Sequence, residues 1–291
     1  MHWGAAVLSG VAVDKVTKAF QNWYLNRDHP YAGNIRTWNE IRSGIPAWNE
    51  ITGKKTETSS NLPNFESKPA LTILKGNGGN DGLVNHDDQV FMSGDLGNDA
   101  VVNYGSYVTM EGNIGSDILS NAGDNVIMDS GADDDAIENA GNNVIVYTGA
   151  GNDYVANEGD KVTVAALTGN NTINSYAGEN VSIGAGPGND SIVNAAGSNI
   201  QISAGDGNNV LENYGGENVV IEAGKDDDIV DNYSSNVTVD AGDGNNLIYH
   251  AHGSKGLIIA GKDDDYISVQ KTSADVTINA GGGSDIVINN G

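Results

Sequence analysis

Apolar residues recur along most of the chain in short groups separated by polar residues. From residue 71 onward each group holds apolar side chains spaced two residues apart, and Gly, Asn and Asp separate the groups. A spacing of two is the spacing of side chains on one face of a β-strand. The pattern therefore predicts a long series of short strands joined by tight corners.

A sequence repeat organises these groups. An Asp or Asn closes a glycine-rich corner in each repeat, and we call this residue the anchor. The anchors are Asp81, Asp99, Asp117, Asp135, Asp153, Asn171, Asp190, Asn209, Asp228, Asn246, Asp265 and Asp285. Their near-constant spacing predicts an all-β fold, a parallel β-solenoid (β-roll) of about 12 coils with 18–20 residues each.

Two sets of apolar positions are expected to point into this solenoid. The position two residues after the anchor is always Leu, Ile or Val, from Leu83 to Val287. A pair later in each coil, such as Leu257 and Ile259, is also apolar. Each coil is therefore expected to contain a corner, a strand, a second corner and a second strand. The coil length varies mostly in the second corner, so the corner that ends at the anchor is expected to be the more constrained.

Residues 1–70 differ from the rest of the chain in pattern. Apolar residues at helical spacing predict two short helices within residues 1–52, which also contain all four Trp. Residues 53–70 are polar and contain two Pro, which is typical of a linker or strap. Because the end coils of a solenoid need covering, we expect 1–52 to form a small α-helical N-terminal cap on the solenoid of residues 71–291.

Charge divides the chain at the same place. Residues 71–291 contain 6 Lys, no Arg and 33 Asp or Glu, a net charge near −27, whereas residues 1–70 contain 8 Lys or Arg and 6 Asp or Glu, near +2. This acidity argues against nucleic acid as a partner and favours cations or a basic partner. No apolar run approaches 18 residues, so no membrane span is expected. The absence of Cys excludes disulfides and thiolate metal sites.

The residues around the anchors resemble a known family. The segments TGAGNDYVA (148–156), AGPGNDSIV (185–193), GGNDGLV (78–84) and AGGGSDIVI (280–288) are similar to the calcium-binding nonapeptide repeats of the RTX (hemolysin-type) family, GGxGxDxUx with U a large apolar residue. The resemblance covers about 210 residues. It implies a parallel β-roll in a bacterial protein outside the cell or on its surface. It also implies calcium between the corners of successive coils, held by Asp carboxylates and backbone carbonyls.

The chemistry of the anchors leads to the same expectation. Calcium takes six to eight oxygen ligands, many of them carbonyls, and Gly lets the backbone turn its carbonyls inward at positive φ. A column of stacked carboxylates would repel strongly without cations between them. We therefore predict calcium ligands at Asp81, Asp99, Asp117, Asp135, Asp153, Asp190, Asp228, Asp265 and Asp285.

Three features depart from the family pattern. The second corner is mostly Asn-x-Gly-x-Asn, as in NAGDN (121–125), so no full calcium row is expected there. Asn171, Asn209 and Asn246 replace Asp, which is expected to weaken the later sites. The C-terminal secretion region of the family does not follow the repeats in this sequence.

Other polar columns have structural interpretations. Asn residues four positions after the anchors, beginning at Asn85, predict a ladder of amides bonded to one another or to the turn backbone. Tyr residues beside this ladder are expected to pack locally at the wide corner. His250 and His252 are interpreted as exposed loop residues rather than metal ligands.

The sequence favours a calcium-stabilised structural or adhesive rod outside the cell, and no enzyme. The solenoid has no Arg and no recognisable nucleophile–base motif. Two alternatives stay open: a non-catalytic repeat segment of a secreted enzyme or toxin, and a self-assembling surface-fibre subunit that associates end to end or laterally. Ice binding is disfavoured, because Pro187, Lys225 and Lys262 interrupt the column beside the outward Asn and Asp residues.

Overall fold

The computed structural model describes residues 56–58 and 72–291. These residues form a parallel β-solenoid of about 12 coils, in which each coil contributes one strand to each of two sheets. The all-β solenoid predicted from the repeat is therefore confirmed. The predicted helical cap, residues 1–52, and most of the predicted strap, residues 53–70, lie outside the described residues.

The first sheet contains the strands that follow the anchors. Its 13 strands run parallel to one another, and each pairs with the equivalent strand of the neighbouring coil. They are β1 (Thr56–Thr58), β3 (Gly82–Asn85), β5 (Ala100–Asn103), β7 (Ile118–Asn121), β9 (Ala136–Asn139), β11 (Tyr154–Asn157), β13 (Thr172–Ser175), β15 (Ser191–Asn194), β17 (Val210–Asn213), β19 (Ile229–Asn232), β21 (Leu247–His250), β24 (Tyr266–Val269) and β27 (Ile286–Asn289).

The second sheet contains the strands that precede the anchors. It has 12 parallel strands. They are β2 (Thr72–Lys75), β4 (Val90–Leu96), β6 (Thr109–Ile114), β8 (Ile127–Ala132), β10 (Ile145–Ala150), β12 (Thr163–Thr168), β14 (Ser182–Gly184), β16 (Ser198–Asp206), β18 (Glu217–Lys225), β20 (Val237–Asp240), β23 (Leu257–Ile259) and β26 (Thr277–Asn279). A small third sheet pairs β22 (Gly253–Ser254) with β25 (Ser273–Ala274) at the second corner.

One strand lies within the segment predicted to be a strap. Strand β1 pairs in parallel with β3, and Thr56 lies opposite Gly82. It therefore extends the first sheet by one strand before the first complete coil.

The inward side chains of both sheets meet in a single core. The residues two positions after the anchors, from Leu83 to Ile267, are at most 2% exposed, as the sequence predicts. In the last coil the equivalent Val287 is 44% exposed, because it has a neighbouring coil on one side only. Burial in this fold therefore comes from the stacking of coils rather than from within one coil.

The predicted inward pair Leu257 and Ile259 is wrong by one residue. The register places Ile258 opposite the buried Val239, and Ile258 is fully buried whereas Leu257 is 37% exposed. Three consecutive apolar residues conceal the alternation of the strand. The corner decides it, because Lys255 occupies the left-handed position (φ 60°) that precedes this strand in the other coils.

The second corner ends in each coil at a residue with positive φ. These residues are Gln89, Tyr107, Asn125, Asn143, Lys161, Asn180, Asn199, Asn218, Asn236, Lys255 and Asp275. Asn is the commonest among them, since its short polar side chain tolerates the left-handed conformation. The distance from this residue to the next anchor is ten residues in every coil, whereas the distance from the preceding anchor varies from eight to ten. The length variation thus lies in the second corner, where the sequence predicted most of it.

Candidate metal site along the anchor column

The anchors form one continuous column at the corner before the first sheet. The ten anchors from Asp99 to Asp265 are at most 3% exposed, and those of the end coils are partly exposed. The column brings together all nine predicted calcium ligands, which are Asp81, Asp99, Asp117, Asp135, Asp153, Asp190, Asp228, Asp265 and Asp285. The carboxylates are therefore enclosed by the solenoid rather than displayed on its surface.

One side-chain oxygen of each anchor from Asp99 to Asp285 has a backbone partner. The backbone N–H of an anchor donates to Oδ1 of the anchor in the next coil, with N···O distances of 2.6–3.1 Å along the whole column. The bond from Asp99 to Asp117, for example, is 2.7 Å long. Asp and Asn anchors make this bond equally, so Oδ1 ties the corners together and does not distinguish the two residue types.

The other terminal side-chain atom, Oδ2 in Asp and Nδ2 in Asn, does distinguish the two residue types. Nδ2 of Asn209 donates to the carbonyl of Gly207 at 2.8 Å, and the carbonyls of Gly205 and Ala223 each lie 3.3 Å away. Asn171 and Asn246 make equivalent bonds to carbonyls of their own and the next coil. The space around this atom is lined with carbonyl oxygens and is suited to a hydrogen-bond donor.

In the Asp coils an oxygen occupies this position. Within residues 72–291, the Oδ2 atoms of eight anchors are buried and accept no hydrogen bond of normal geometry: those of Asp81, Asp99, Asp117, Asp135, Asp153, Asp190, Asp228 and Asp265. The hydroxyls of Ser130 and Thr148 lie close enough to the carboxyls of Asp135 and Asp153 to lower their pKa, but the Ser130 hydroxyl donates to the Thr148 carbonyl instead. Burying an unpaired carboxylate oxygen is costly, and carbonyl oxygens around it add repulsion. The position therefore calls for positive charge, from a cation or from a proton.

Burial raises the pKa of the Asp anchors from Asp99 to Asp265. The pKa rises to about 6 at Asp99, about 7 at Asp117 and about 8 at Asp135, chiefly through desolvation, and the N–H of the preceding anchor opposes the shift. Desolvation likewise raises the pKa of Asp190 to about 6 and that of Asp228 to about 7. The largest of these values belongs to Asp135, which has Asp anchors in both neighbouring coils, and their charges add to its shift.

Sequence reasoning missed the column that makes room for the anchors. Five positions before each anchor stands Gly in the first three coils, then Ser130, Thr148 and afterwards only Ala. A methyl group built on Gly94 would collide with Oδ2 of Asp99. The absence of any residue larger than Thr at this position is visible in the sequence, and it marks a side chain packed across the corner.

The donor atoms at this corner fit calcium in chemical type. Carboxylate and carbonyl oxygens are the ligands that calcium prefers. Residues 72–291 contain no cluster of three or more His, Asp or Glu side chains able to hold a metal ion. A calcium ion at the anchors would therefore take most of its ligands from carbonyls of the glycine-rich corner, together with an orphaned Oδ2 atom.

The Asn ladder at the second corner satisfies its own hydrogen bonds. Nδ2 of Asn121 donates to Oδ1 of Asn139 and to the carbonyl of Gly123, both at 2.8 Å, and its Oδ1 accepts from the Gly123 N–H at 3.0 Å. The side-chain bonds run unbroken from Asn85 to Asn157 and resume over residues 194–232. This ladder was predicted, and its bonded amides leave no orphaned oxygen of the kind found at the anchors over Asn85 to Asn157.

His250 lies within this ladder, so its predicted exposure is wrong. Its side chain is buried, and its Nδ1 accepts a hydrogen bond from Nδ2 of Asn232 at 2.7 Å. Burial lowers the pKa of His250, which favours the neutral imidazole. His252 is exposed, as predicted, and its Nδ1 lies 2.7 Å from the Thr272 hydroxyl. One imidazole points inward and the other outward, so they do not form a metal site.

The tyrosines beside the ladder pack locally. The rings of Tyr214 and Tyr233 stack with their centroids 5.2 Å apart. Their hydroxyls donate to the carboxylates of Glu212 and Asp231, each at 3.0 Å. These contacts agree with the structural interpretation of the Tyr column.

No protein-family model matches the chain, and no curated protein or solved structure is significantly similar to it. The resemblance to RTX repeats therefore rests on motif and spacing alone and stays a prediction. Among residues 56–58 and 72–291, no helix is long and apolar enough to cross a membrane.

Proposed function

We propose that this chain is a calcium-stabilised β-solenoid that acts as a structural or adhesive rod outside the cell. The observation that carries the proposal is the set of eight buried Oδ2 atoms without donors. They occupy the position at which Asn171, Asn209 and Asn246 donate to backbone carbonyls. A cation supplies the positive charge that the Asp coils lack.

The candidate ligands are the Asp anchors and the carbonyls of the corner that each anchor closes. Bound calcium would neutralise the stacked carboxylates and satisfy the oxygens around them. In the Asn coils the side-chain amide already donates hydrogen bonds to these carbonyl oxygens. The sites are therefore expected to be densest along the consecutive anchors Asp81 to Asp153.

Calcium would control both the stability and the stiffness of the rod. Binding to the folded solenoid alone adds stability by mass action. Calcium-binding modules outside cells commonly bind at about 0.1–1 mM, near the concentration of their surroundings. Such a rod would become fully folded and stiff where the calcium concentration is high. This property suits a spacer or adhesive segment at a cell surface.

Metal analysis of the purified protein tests the proposal. After dialysis against calcium and removal of free ions, elemental analysis should find several calcium ions per chain, and calorimetric titration of the metal-stripped protein should show saturable binding. A metal-free protein whose melting temperature does not respond to calcium would contradict the proposal. That result would leave protonation of the buried carboxyls as the explanation of the orphaned oxygens.

The remaining inferences from the sequence stay predictions. They are the helical form of residues 1–52, the location outside a bacterial cell, the absence of catalysis, and association end to end or laterally. The alternative of a non-catalytic segment in a secreted enzyme or toxin is also untested. Calcium binding would be compatible with the rod and with this alternative, so metal analysis does not choose between them.

A further inference from the structure

The Asn ladder of the later coils ends in a histidine. This part of the ladder has one direction: Nδ2 of Asn194 donates to Oδ1 of Asn213, and Nδ2 of Asn213 donates to Oδ1 of Asn232, at 2.7 and 2.6 Å. Nδ2 of Asn232 lies 2.7 Å from Nδ1 of His250. Because Oδ1 of Asn232 already accepts a hydrogen bond, its Nδ2 atom is the donor in this last contact.

The direction of the ladder fixes the protonation state of the imidazole. Nδ1 of His250 accepts, so the neutral ring carries its proton on Nε2. A protonated ring has a proton on both nitrogens, and its Nδ1–H would face the Nδ2–H of Asn232 with no acceptor between them. Turning the Asn232 amide would not resolve this conflict, because its Nδ2 would then face Nδ2 of Asn213 and lose its 3.0 Å bond to the Ser234 carbonyl.

The imidazole points into the solenoid and lies between neighbouring coils. Ile248 points into the core from strand β21, and His250, two residues later, points the same way. Along the column His250 is flanked by Asn232 in one coil and by the apolar Val269 in the next. Nε2 has no hydrogen-bond partner within residues 72–291, and a methyl group built on Gly256 would lie 3.6 Å from it. These surroundings favour the neutral ring, since burying an uncompensated charge is costly.

The ionisable groups near this corner do not compensate a positive charge on the ring. They are Asp231, Tyr249, His252, Lys255, Lys271 and Asp275. Asp231 and Tyr249 are paired positions on the outer face of the first sheet, and the other four side chains are exposed. Burial lowers the pKa of His250, the Gly253 carbonyl opposes that shift, and the charge of His252 adds to it.

We propose that His250 makes the second corner at strands β21, β22, β24 and β25 open in acid. At neutral pH the ring accepts the Asn232 bond and completes the ladder. A proton binds Nδ1 only when the ring separates from Asn232, so acid favours the open corner. The contribution of His250 to stability is therefore fully present above its unfolded pKa near 6.5 and is lost as the pH falls towards its lowered folded pKa.

The anchor carboxyls of the metal-free protein respond to acid in the opposite sense, because protonation relieves their unpaired oxygens. A measurement over the whole chain therefore mixes the two effects. A local measurement with variants at position 250 separates them, since such variants leave every anchor unchanged. The proposal depends neither on calcium nor on the function of the rod.

Hydrogen-exchange mass spectrometry at pH 5 and pH 7.5, with free calcium held constant, tests the proposal. Two amides report on this corner directly, because the N–H of Ala251 donates to the Asn232 carbonyl and that of Gln270 donates to the His250 carbonyl. After correction for the intrinsic exchange rate, peptides over residues 247–276 should exchange on the order of tenfold faster at pH 5 than at pH 7.5.

Two variants assign this response to one imidazole. His250→Asn supplies an oxygen that accepts the Asn232 bond and does not titrate, so the pH dependence over residues 247–276 should disappear. The matched control His252→Asn removes the exposed imidazole of the same corner and should keep the pH dependence. An equal pH response in wild type and His250→Asn, or its loss in His252→Asn, would overturn the proposal.

Nitrogen NMR of the wild-type protein labelled at histidine provides a test that needs no variant. The chain contains five His. One imidazole should be neutral at pH 7.5 with its proton on Nε2, and it should stay neutral below the usual titration range near pH 6.5 for as long as the corner is closed. Titration of all five imidazoles near pH 6.5 would show that no ring is held neutral, which would also overturn the proposal.

Discussion

The first five coils and the later seven build the same corner with different chemistry. From Asp81 to Asp153 every anchor is Asp, and the step from one anchor to the next is constant. From Asn171 to Asp265 Asn and Asp alternate, and the step varies between coils. The later half places an amide donor in every second carbonyl-lined space, whereas the first half places a carboxylate in all of them. The comparison shows that this space accepts either a donor from the side chain or positive charge from elsewhere.

The Asn ladder changes at the same point. It is continuous through the first five coils and breaks at Ser175 in the sixth. The Ser175 hydroxyl donates to the Ala177 carbonyl at 3.2 Å, and within residues 72–291 Oδ1 of Asn194 is left buried without a partner. The first half therefore has the more complete Asn ladder at the second corner. At the anchor corner it has a buried, unpaired carboxylate oxygen in every coil.

Removal of calcium should produce the largest difference in stability between the two halves of the solenoid. With free calcium 100-fold above its dissociation constant, one site contributes about 2.7 kcal/mol to folding, and the first half has the most candidate sites. Chelation with EDTA should lower the melting temperature sharply. Hydrogen-exchange mass spectrometry should show greater loss of protection over residues 81–157 than over residues 190–265. Equal loss in both regions would remove the distinction between the halves.

The Asp117→Asn substitution converts a first-half corner into the later type. Without calcium it should stabilise the protein by about 1–3 kcal/mol at pH 8, since the amide supplies the donor that the buried carbonyls lack. With calcium it should be less stable than the wild type, because a candidate ligand is lost. Chemical denaturation under both conditions measures the change.

The matched control is Asp134→Asn, which makes the same chemical change on an exposed residue near the corner. It should alter stability by no more than about 0.5 kcal/mol in either condition. If Asp117→Asn stabilises the protein equally with and without calcium, the Asp117 carboxyl does not bind the ion.

The pH dependence of the metal-free protein gives a third test. The folded-state pKa values of about 6, 7 and 8 at Asp99, Asp117 and Asp135 lie above the unfolded value near 3.9. Their contribution to stability is fully present below pH 4 and is lost as the pH rises through the folded values. In EDTA, resistance to denaturant should therefore fall between about pH 4 and pH 8.

Saturating calcium should reverse this slope, because protons compete with the ion for the carboxylates. Denaturation curves at matched ionic strength would show the crossing of the two profiles. Parallel profiles with and without calcium would contradict the assignment of the ion to these carboxyls. Asp135→Asn should reduce the slope in EDTA, since its carboxyl has the highest of these pKa values.

The ladder at the second corner gives a fourth test. Asn121→Ser imitates the sixth coil and removes side-chain bonds to Asn139 and Gly123. It should cost about 1–3 kcal/mol, because buried partners lose their hydrogen bonds. The control Asn142→Ser removes exposed side-chain bonds to Asp124 and Asp160 at the same corner. It should cost about 0.5 kcal/mol or less, because water replaces bonds at an exposed position. Equal losses of stability in the two variants would mean that the buried ladder bonds stabilise the fold no more than exposed ones.

Much of the fold could be predicted because the repeat places the same residue type at the same position many times. The column from Leu83 to Ile267 was recognised as buried from its uniform apolar character. The register at Leu257 could not be recognised in this way, since three apolar residues in a row fit either face. His250 was misjudged because a single His at a ladder position looks like a loop residue unless the stacking is known.

The sequence by itself determined the coil, the number of coils, the inward columns and the anchor column, because these follow from periodicity and residue type. Only the tertiary structure decided what the anchors face. From Asp99 onward it bonded one oxygen of each anchor to the backbone of the preceding coil, and it surrounded the second side-chain atom of the Asn anchors with carbonyls of two coils. Such facts depend on which groups meet across neighbouring coils and on parts of the chain far apart in sequence, and a repeating pattern does not record them.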